Sequence, residues 1–337
     1  MKAGFKSNWK ILLGLAVSAL FLYLAFRKAD FREMFLTLKQ ADYSYVIPAV
    51  ALSLLSLAFR AIRWKYLFRP IKRISFMNLL SAASIGYMAN SVMPARLGEI
   101  VRAYAIGMKE DISKTSSFAT IVVARIYDGI TILFFLFITL SRFPFSFPPW
   151  FRNVIIVAVL FYLLAIVFIM LLKYRPDKAF AIASVVTRFL PEKLQQTLMR
   201  VLNSFVVGLD VLKSARDAVI AGFYSVLVWL PNAAIIFVLA RSFDITLPFS
   251  GAMLILVIVT LGIMIPSAPA FVGTVQYCCV IGLGFFGVAR SQALSFSVIY
   301  HLCTFLPITI TGFIFLLKEG YSFMELKRSA EEEEPVT

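Results

Sequence analysis

Histidine is almost missing from this chain, 1 in 337 residues, and cysteine is limited to 3, so the ligand types that build zinc and copper centres are too few for a cage. Cys278, Cys279 and Cys303 lie in apolar segments without metal-site or disulfide-framework spacing, and read as small buried apolar residues. Acid is scarce too, with 18 Asp and Glu against 33 Lys and Arg, and charged residues make up only 15% of the chain. Soluble domains carry about 25% charged residues, so an ordinary water-facing surface is excluded. No Ser-His-Asp arrangement or phosphate-binding lysine loop is present, and His301 has no acidic neighbour in sequence and reads as a hydrogen-bonded structural residue. Gly282-Leu-Gly284-Phe-Phe-Gly287 has dinucleotide-motif spacing but no strand before it, and reads as close helix packing. No catalytic residue, metal or cofactor is implied.

What remains is apolar: 61% of residues are hydrophobic and the mean hydropathy is +0.87. Runs long enough to cross a hydrocarbon core recur at about 9–26, 44–59, 116–141, 153–172, 218–240 and 291–317. The sequence predicts an all-α polytopic membrane protein with these six spans, organised as one transmembrane domain over 1–320. The first run follows Lys2, Lys6 and Lys10 but is long and lacks a small-residue cleavage site, so it is expected to stay as the first helix. The net charge of +15 belongs to basic residues clustered at the ends of apolar runs, which points to anionic lipid surfaces and not to nucleic acid.

Arg60, Arg63, Lys65, Arg69, Lys72 and Arg73 follow the second run without one acid and are expected to form a cytoplasmic loop, with both termini also cytoplasmic, in the inner (cytoplasmic) membrane of a cell. Two further apolar regions, 74–115 and 249–289, are broken by Pro and Gly and are expected to enter and leave on one side each. The order span, broken hairpin, span then occurs twice with opposite orientation, the inverted-repeat arrangement of many transporters. Between 178 and 213 a cytoplasmic connection carries Leu194, Leu198, Val201, Leu202, Phe205, Leu209 and Leu212 at helical spacing, expected as an amphipathic helix on the membrane surface. The tail 321–337, with Glu331–Glu334, reads as solvated and disordered.

Chemistry concentrates at the breaks. Pro94 disfavours helix at Met93, so one helix is expected to end around Asn90 and another to start near Pro94, with the freed backbone turned into the bundle. Arg96, Glu99 and Arg102 are spaced three apart and share a helix side. Arg125 and Asp128, also three apart, sit well inside the third span, where an unpaired charge costs on the order of 3 kcal/mol. Pairing of Arg125 with Asp128, or with Glu99 across helices, would offset that cost. The second break, Pro266-Ser-Ala-Pro269-Ala-Phe-Val-Gly273-Thr-Val-Gln276, has similar grammar without charge. Gly98 and Gly273 allow close approach of backbone or ligand, and a helix starting after Pro269 could direct its positive end at an anion.

The pattern Asn90, Pro94, Arg96, Gly98, Glu99 and Arg102, then Arg125 and Asp128, then Pro269, Gly273 and Gln276, resembles the membrane region of the lysylphosphatidylglycerol synthase family, also described as flippase-like. Acids are common in that family just before the second motif's arginine and at the end of the third, where this chain has Ala124 and Gln276. The resemblance implies translocation of phospholipids by the membrane unit, with aminoacyl transfer assigned to a separate cytosolic domain, so synthase activity is not expected here. These eleven residues become the candidate substrate-binding set. The expected function is a lipid transporter or flippase for a phospholipid or other anionic-headgroup amphiphile. The alternatives are a membrane-embedded transferase acting on lipid or polyprenyl phosphate, or an accessory subunit of such an enzyme. The expected partner is a membrane phospholipid or lipid-linked substrate; a homo-oligomer or a lipid-synthesis enzyme are the protein partners left open.

Overall fold

The computed structural model describes residues 3–93, 97–142, 149–189, 191–192, 195–196, 199, 202, 206 and 214–320. Twelve α-helices and no strands occur among them, and the chain is an all-α polytopic membrane protein. The helices are α1 (Ala3–Phe26), α2 (Phe31–Gln40), α3 (Val46–Phe68), α4 (Phe76–Val92), α5 (Gly98–Glu110), α6 (Lys114–Arg142), α7 (Pro149–Tyr174), α8 (Pro176–Thr187), α9 (Ala215–Ser242), α10 (Phe249–Gly262), α11 (Thr274–Gly284) and α12 (Arg290–Lys318). Among the described residues, five segments are long and apolar enough to cross a membrane, and α1 is shorter by that measure over Leu13–Phe26. Of the surface-helix positions expected between 178 and 213, Leu202 is described and packs against a core cluster drawn from α3 to α9; Leu194, Leu198, Val201, Phe205, Leu209 and Leu212 lie outside the described residues, as does the acidic tail.

The basic segment after the second apolar run is not all loop, because α3 continues to Phe68 and carries Arg60, Arg63 and Lys65 on the helix. Ser56, Leu57, Ala61, Arg63, Trp64, Leu67 and Phe68 form a continuing buried stripe, and the arginine stems are compatible with it. α2 was not anticipated. It is nucleated by Asp30, whose carboxylate accepts hydrogen bonds from the backbone N–H of Arg32 (2.8 Å) and Glu33 (3.1 Å). Phe31, Phe35 and Leu36 stay exposed on it, as suits a helix lying at a membrane interface.

α4 and α5, at 17 and 13 residues, are about 25 and 20 Å long, and α10 and α11, at 14 and 11 residues, about 21 and 17 Å, each short of a core about 30 Å thick. Each pair folds back on itself. The open end of the first hairpin is closed by Asn78, which donates to Glu110 Oε1 (2.6 Å), and by Lys72, which pairs with the same carboxylate (3.0 Å). At the open end of the second, a Cβ on Gly251 would fall 2.8 Å from the Phe286 ring. The long helix α12 separates these two ends. The residues at its end adjoin the first hairpin, where Lys109 pairs with Glu319, whereas its first turn follows closely on α11 and lies at the end of α9 that leads into α10, where Gln292 donates to Phe243 O (2.8 Å). The hairpins therefore enter from opposite ends of the bundle.

Helix pairings repeat in the same sense. α3 packs on α9; α4 packs on α12 as α10 packs on α6; α5 packs on α6 as α11 packs on α12; and α3 touches α4 as α9 touches α10. That is the contact pattern of two related three-element units, with the α3–α9 contact as its own counterpart at the centre. Small residues make this central contact close: Ala49, Ser53 and Ser56 on α3, and Ala221, Ser225 and Ala233 on α9, are all buried. In lipid, such packing and interhelical hydrogen bonds replace water-driven burial as the source of association. Ser56 donates to Val228 O (3.0 Å) and accepts from Asn232 Nδ2 (2.8 Å).

Candidate functional site

The first break forms as the proline rule requires. Met93, preceding Pro94, is extended (φ −90°, ψ 142°) and ends α4. The second half starts at Gly98, later than the expected start near Pro94, and Asn90 bridges the gap: its Oδ1 accepts from Gly98 N–H at 2.9 Å, while its Nδ2 is 3.4 Å from Glu99 Oε1. The two half-helices touch through glycine. A Cβ on Gly86 would sit 2.5 Å from Arg102 Cβ and 2.8 Å from Gly98 O, so α4 and α5 could not approach this closely with any larger residue there. Pro94 and Arg96 lie outside the described residues.

Glu99, Arg102, Arg125 and Asp128 are brought into one cluster, together with residues the sequence reading did not select. Asp128, midway along α6 and buried, accepts at Oδ1 from Arg63 Nη1 (2.6 Å) and Trp229 Nε1 (2.9 Å), and at Oδ2 from Arg125 Nη1 (3.2 Å). Arg125 also pairs with Glu99 across the α5–α6 contact, so it joins both acids. Arg63 reaches Ser225 Oγ (3.0 Å) as well. Three helices, α3, α6 and α9, thus meet on one carboxylate.

A second layer surrounds Tyr87 of α4. The guanidinium carbons of Arg60, Arg102 and Arg125 lie 5.2, 5.6 and 5.9 Å from its ring centre, and Arg60 Nη1 donates to its hydroxyl (3.0 Å). Arg102 also stacks on Trp64 at 3.7 Å, and Arg60 lies 5.2 Å from the Trp229 ring. Aromatic faces suit guanidinium because their quadrupole attracts the cation while their bulk excludes water. Four guanidiniums therefore face two carboxylates among the described residues. Glu99 Oε2, Arg63 Nε and Arg102 Nε are buried with no hydrogen-bond partner there. The cluster is nonetheless reachable, since 40% of the Arg125 side chain is exposed.

The second break is uncharged and braced. Pro269–Phe271 forms a short 3-10 turn packed on α4, and Ala270 and Phe271 have positive φ (60° and 59°). Gly273 takes φ +87°, and a Cβ there would meet Ser18 O of α1 at 2.6 Å, so both its conformation and its neighbour demand glycine. Gln276 Oε1 accepts from Gly273 N–H (2.7 Å), and its Nε2 lies 3.0 Å from His301 Nδ1. His301 Nε2 lies 2.8 Å from Ala270 O. With Nε2 protonated, His301 donates to Ala270 and accepts from Gln276, which ties α12 to both sides of the break. Pro269, Gly273 and Gln276 are therefore together, in a bracing element separate from the charged cluster.

Arg60, Arg63, Tyr87, Trp64 and Trp229 were missed. The available signal was the apolar pattern continuing through Arg60 and Arg63 to Phe68; Tyr87 and Trp229 carry no sequence signal beyond their place in apolar segments.

Residues 11–312 match the family model described as the lysylphosphatidylglycerol synthase TM region. The chain is 24% identical over 290 residues to a UPF0104 membrane protein of Methanothermobacter thermautotrophicus, covering 82% of this chain and 85% of that one. It is 22% identical over 312 residues to a UPF0104 membrane protein of Methanocaldococcus jannaschii, covering 90% and 93% respectively. With the match running from the first helix into the last, the chain belongs to the lysylphosphatidylglycerol synthase transmembrane-region family.

Proposed function

We propose that the protein moves lipids with anionic headgroups between the leaflets of a membrane, with the headgroup taken into the Arg60–Arg102–Arg125 cluster and the acyl chains left in lipid. The observation that carries this reading is the excess of guanidinium over carboxylate deep in the bundle. Such an excess is costly in a low-dielectric interior unless an anion joins it. Arginine suits phosphate because its planar fork offers paired donors. Two hairpins entering from opposite ends, each with a break in the bundle, supply an architecture in which access can alternate. By the positive-inside rule, the end bearing Lys65, Arg69, Lys72, Arg73 and Lys109 is the cytoplasmic one in this reading, so a headgroup would reach the charged cluster from the cytoplasmic side.

A membrane-embedded transferase would need a free acid or base. Glu99 and Asp128 are each engaged by arginine, and both ring nitrogens of His301 are engaged, which favours binding over chemistry. Untargeted lipidomics of the purified protein tests the headgroup reading. Anionic lipids are expected to be enriched over the bulk membrane, with the enrichment lost in Arg102→Gln combined with Arg125→Gln. Enrichment of zwitterionic lipid, or retention of anionic lipid by the double variant, would contradict it.

A further inference from the structure

The ion pairs divide the four arginines of the cluster into two kinds. Arg63 and Arg125 are matched to carboxylates, Arg63 to Asp128 and Arg125 to both Asp128 and Glu99. Arg60 and Arg102 have no carboxylate within ion-pair distance among the described residues. Their neighbours are rings: Tyr87 and Trp229 for Arg60, Trp64 and Tyr87 for Arg102. Arg102 is only 3% exposed, and its Nε has no hydrogen-bond partner among the described residues. A guanidinium keeps its proton at neutral pH, so neither residue can shed its charge to relieve burial. Ring faces offset part of that cost but accept no N–H hydrogen bond as strong as one to an oxyanion.

We propose that the natural ligand of this pocket carries at least two negative charges on one compact headgroup, as a terminal phosphate monoester or diphosphate on a hydrophobic chain does, and that Arg60 and Arg102 around Tyr87 are the groups that bind it. The inference rests on the lipid-headgroup reading of the cluster and narrows it. A phosphodiester lipid with one negative charge leaves one guanidinium unmatched. A zwitterionic headgroup brings its own cation into a site that already has two in excess. A doubly charged phosphate matches both, and its terminal oxygens accept the donors that the rings leave idle. Tyr87 adds a recognition element, because its hydroxyl already accepts from Arg60 and has its own proton to donate to a phosphate oxygen.

The test is direct binding to the purified full chain in neutral detergent, with four probes: farnesyl diphosphate, dihexanoyl phosphatidylglycerol, dihexanoyl phosphatidylcholine and inorganic diphosphate. Farnesyl diphosphate is expected to bind at least about tenfold more tightly than phosphatidylglycerol, as befits an added charge-assisted contact in a partly desolvated site. Arg60→Gln is expected to remove most of that preference, with the loss larger for farnesyl diphosphate than for phosphatidylglycerol. Equal or tighter binding of phosphatidylglycerol, or a preference untouched by Arg60→Gln, would overturn the proposal. So would inorganic diphosphate binding as tightly as the farnesyl ester, because the ligand would then be a free anion and not a lipid. The wild-type preference needs no variant and stands if Arg60→Gln fails to fold. Anionic lipids that bind without regard to charge number would sink this inference and leave the transport reading intact, whereas failure of both anionic lipids to bind would sink the headgroup reading itself.

Discussion

Replacing Asp128 with Asn keeps the shape of the side chain and removes its charge. In the native cluster this carboxylate is 7% exposed and accepts from Arg63, Trp229 and Arg125. The amide keeps one acceptor but turns a donor toward one of the arginines and leaves Arg63, 2% exposed, without a counter-charge. Removing one partner of a buried pair costs about 3 to 5 kcal/mol, against on the order of 1 kcal/mol for one interhelical hydrogen bond in a membrane. The expected loss for Asp128→Asn is therefore about 3 kcal/mol or more. Arg63→Met together with Asp128→Leu removes both charges and leaves mainly the Trp229 N–H unsatisfied, a cost of about 1 to 3 kcal/mol. The double variant should thus be no less stable than the worse of the single variants Arg63→Met and Asp128→Leu, and the cycle built from these two substitutions should show coupling of about 2 kcal/mol or more. Reversible unfolding in mixed micelles reads these values. A loss below about 1 kcal/mol for Asp128→Asn, or single losses that simply add, would refute the claim that Asp128 is the ionic hub of three helices.

Gln276→Leu removes the acceptor for Gly273 N–H and the donor to His301, and should destabilise by about 1 to 2 kcal/mol, with faster hydrogen exchange at the start of α11; unchanged exchange there would contradict the bracing role. Gly86→Leu drives a side chain into Arg102 and the Gly98 carbonyl, and should destabilise by about 3 kcal/mol or more through overpacking, read as poor folding yield and a lowered unfolding midpoint; a well-folded variant would mean the α4–α5 contact is looser than described. Burial pushes the Glu110 carboxyl up, but hydrogen bonds from Asn78 and Lys72 and the charges of Lys72 and Lys109 outweigh it and hold the group below the usual carboxylate range. Because its folded value is depressed, its contribution is present above the unfolded value of about 4.3 and is lost as pH falls through the lower folded value; Glu110→Gln should flatten stability in that acid window, and an unaltered acid profile would count against the Glu110 latch.

The parts of the fold set by local rules were legible in the sequence. Pro94 dictated an extended Met93, the three-residue spacing of Arg125 and Asp128 placed them together, and the apolar runs located α6, α7, α9 and α12 within a few residues of their observed limits. The limit of α3 was not legible, because Lys and Arg after an apolar run mark a loop by the same rule that orients the chain. Here Arg60 and Arg63 turn inward because Asp128, Tyr87 and Trp229 await them on other helices. Those partners are separated by tens of residues in sequence, so no spacing could reveal them. α2 did carry a readable signal, Asp30-Phe-Arg-Glu33 at helix-start spacing, but its short length set it apart from the long runs that define spans.

The proposed transport requires the buried arginines to select and carry a lipid by its phosphate. Leaflet-resolved movement of labelled lipids in proteoliposomes tests it most directly, comparing an anionic phosphate lipid with phosphatidylcholine for the wild-type chain and for Arg102→Gln with Arg125→Gln. The wild-type chain is expected to move the anionic lipid much faster than phosphatidylcholine, and the folded double variant to move neither above protein-free vesicles. Movement of the anionic lipid by that variant at the wild-type rate would contradict that requirement.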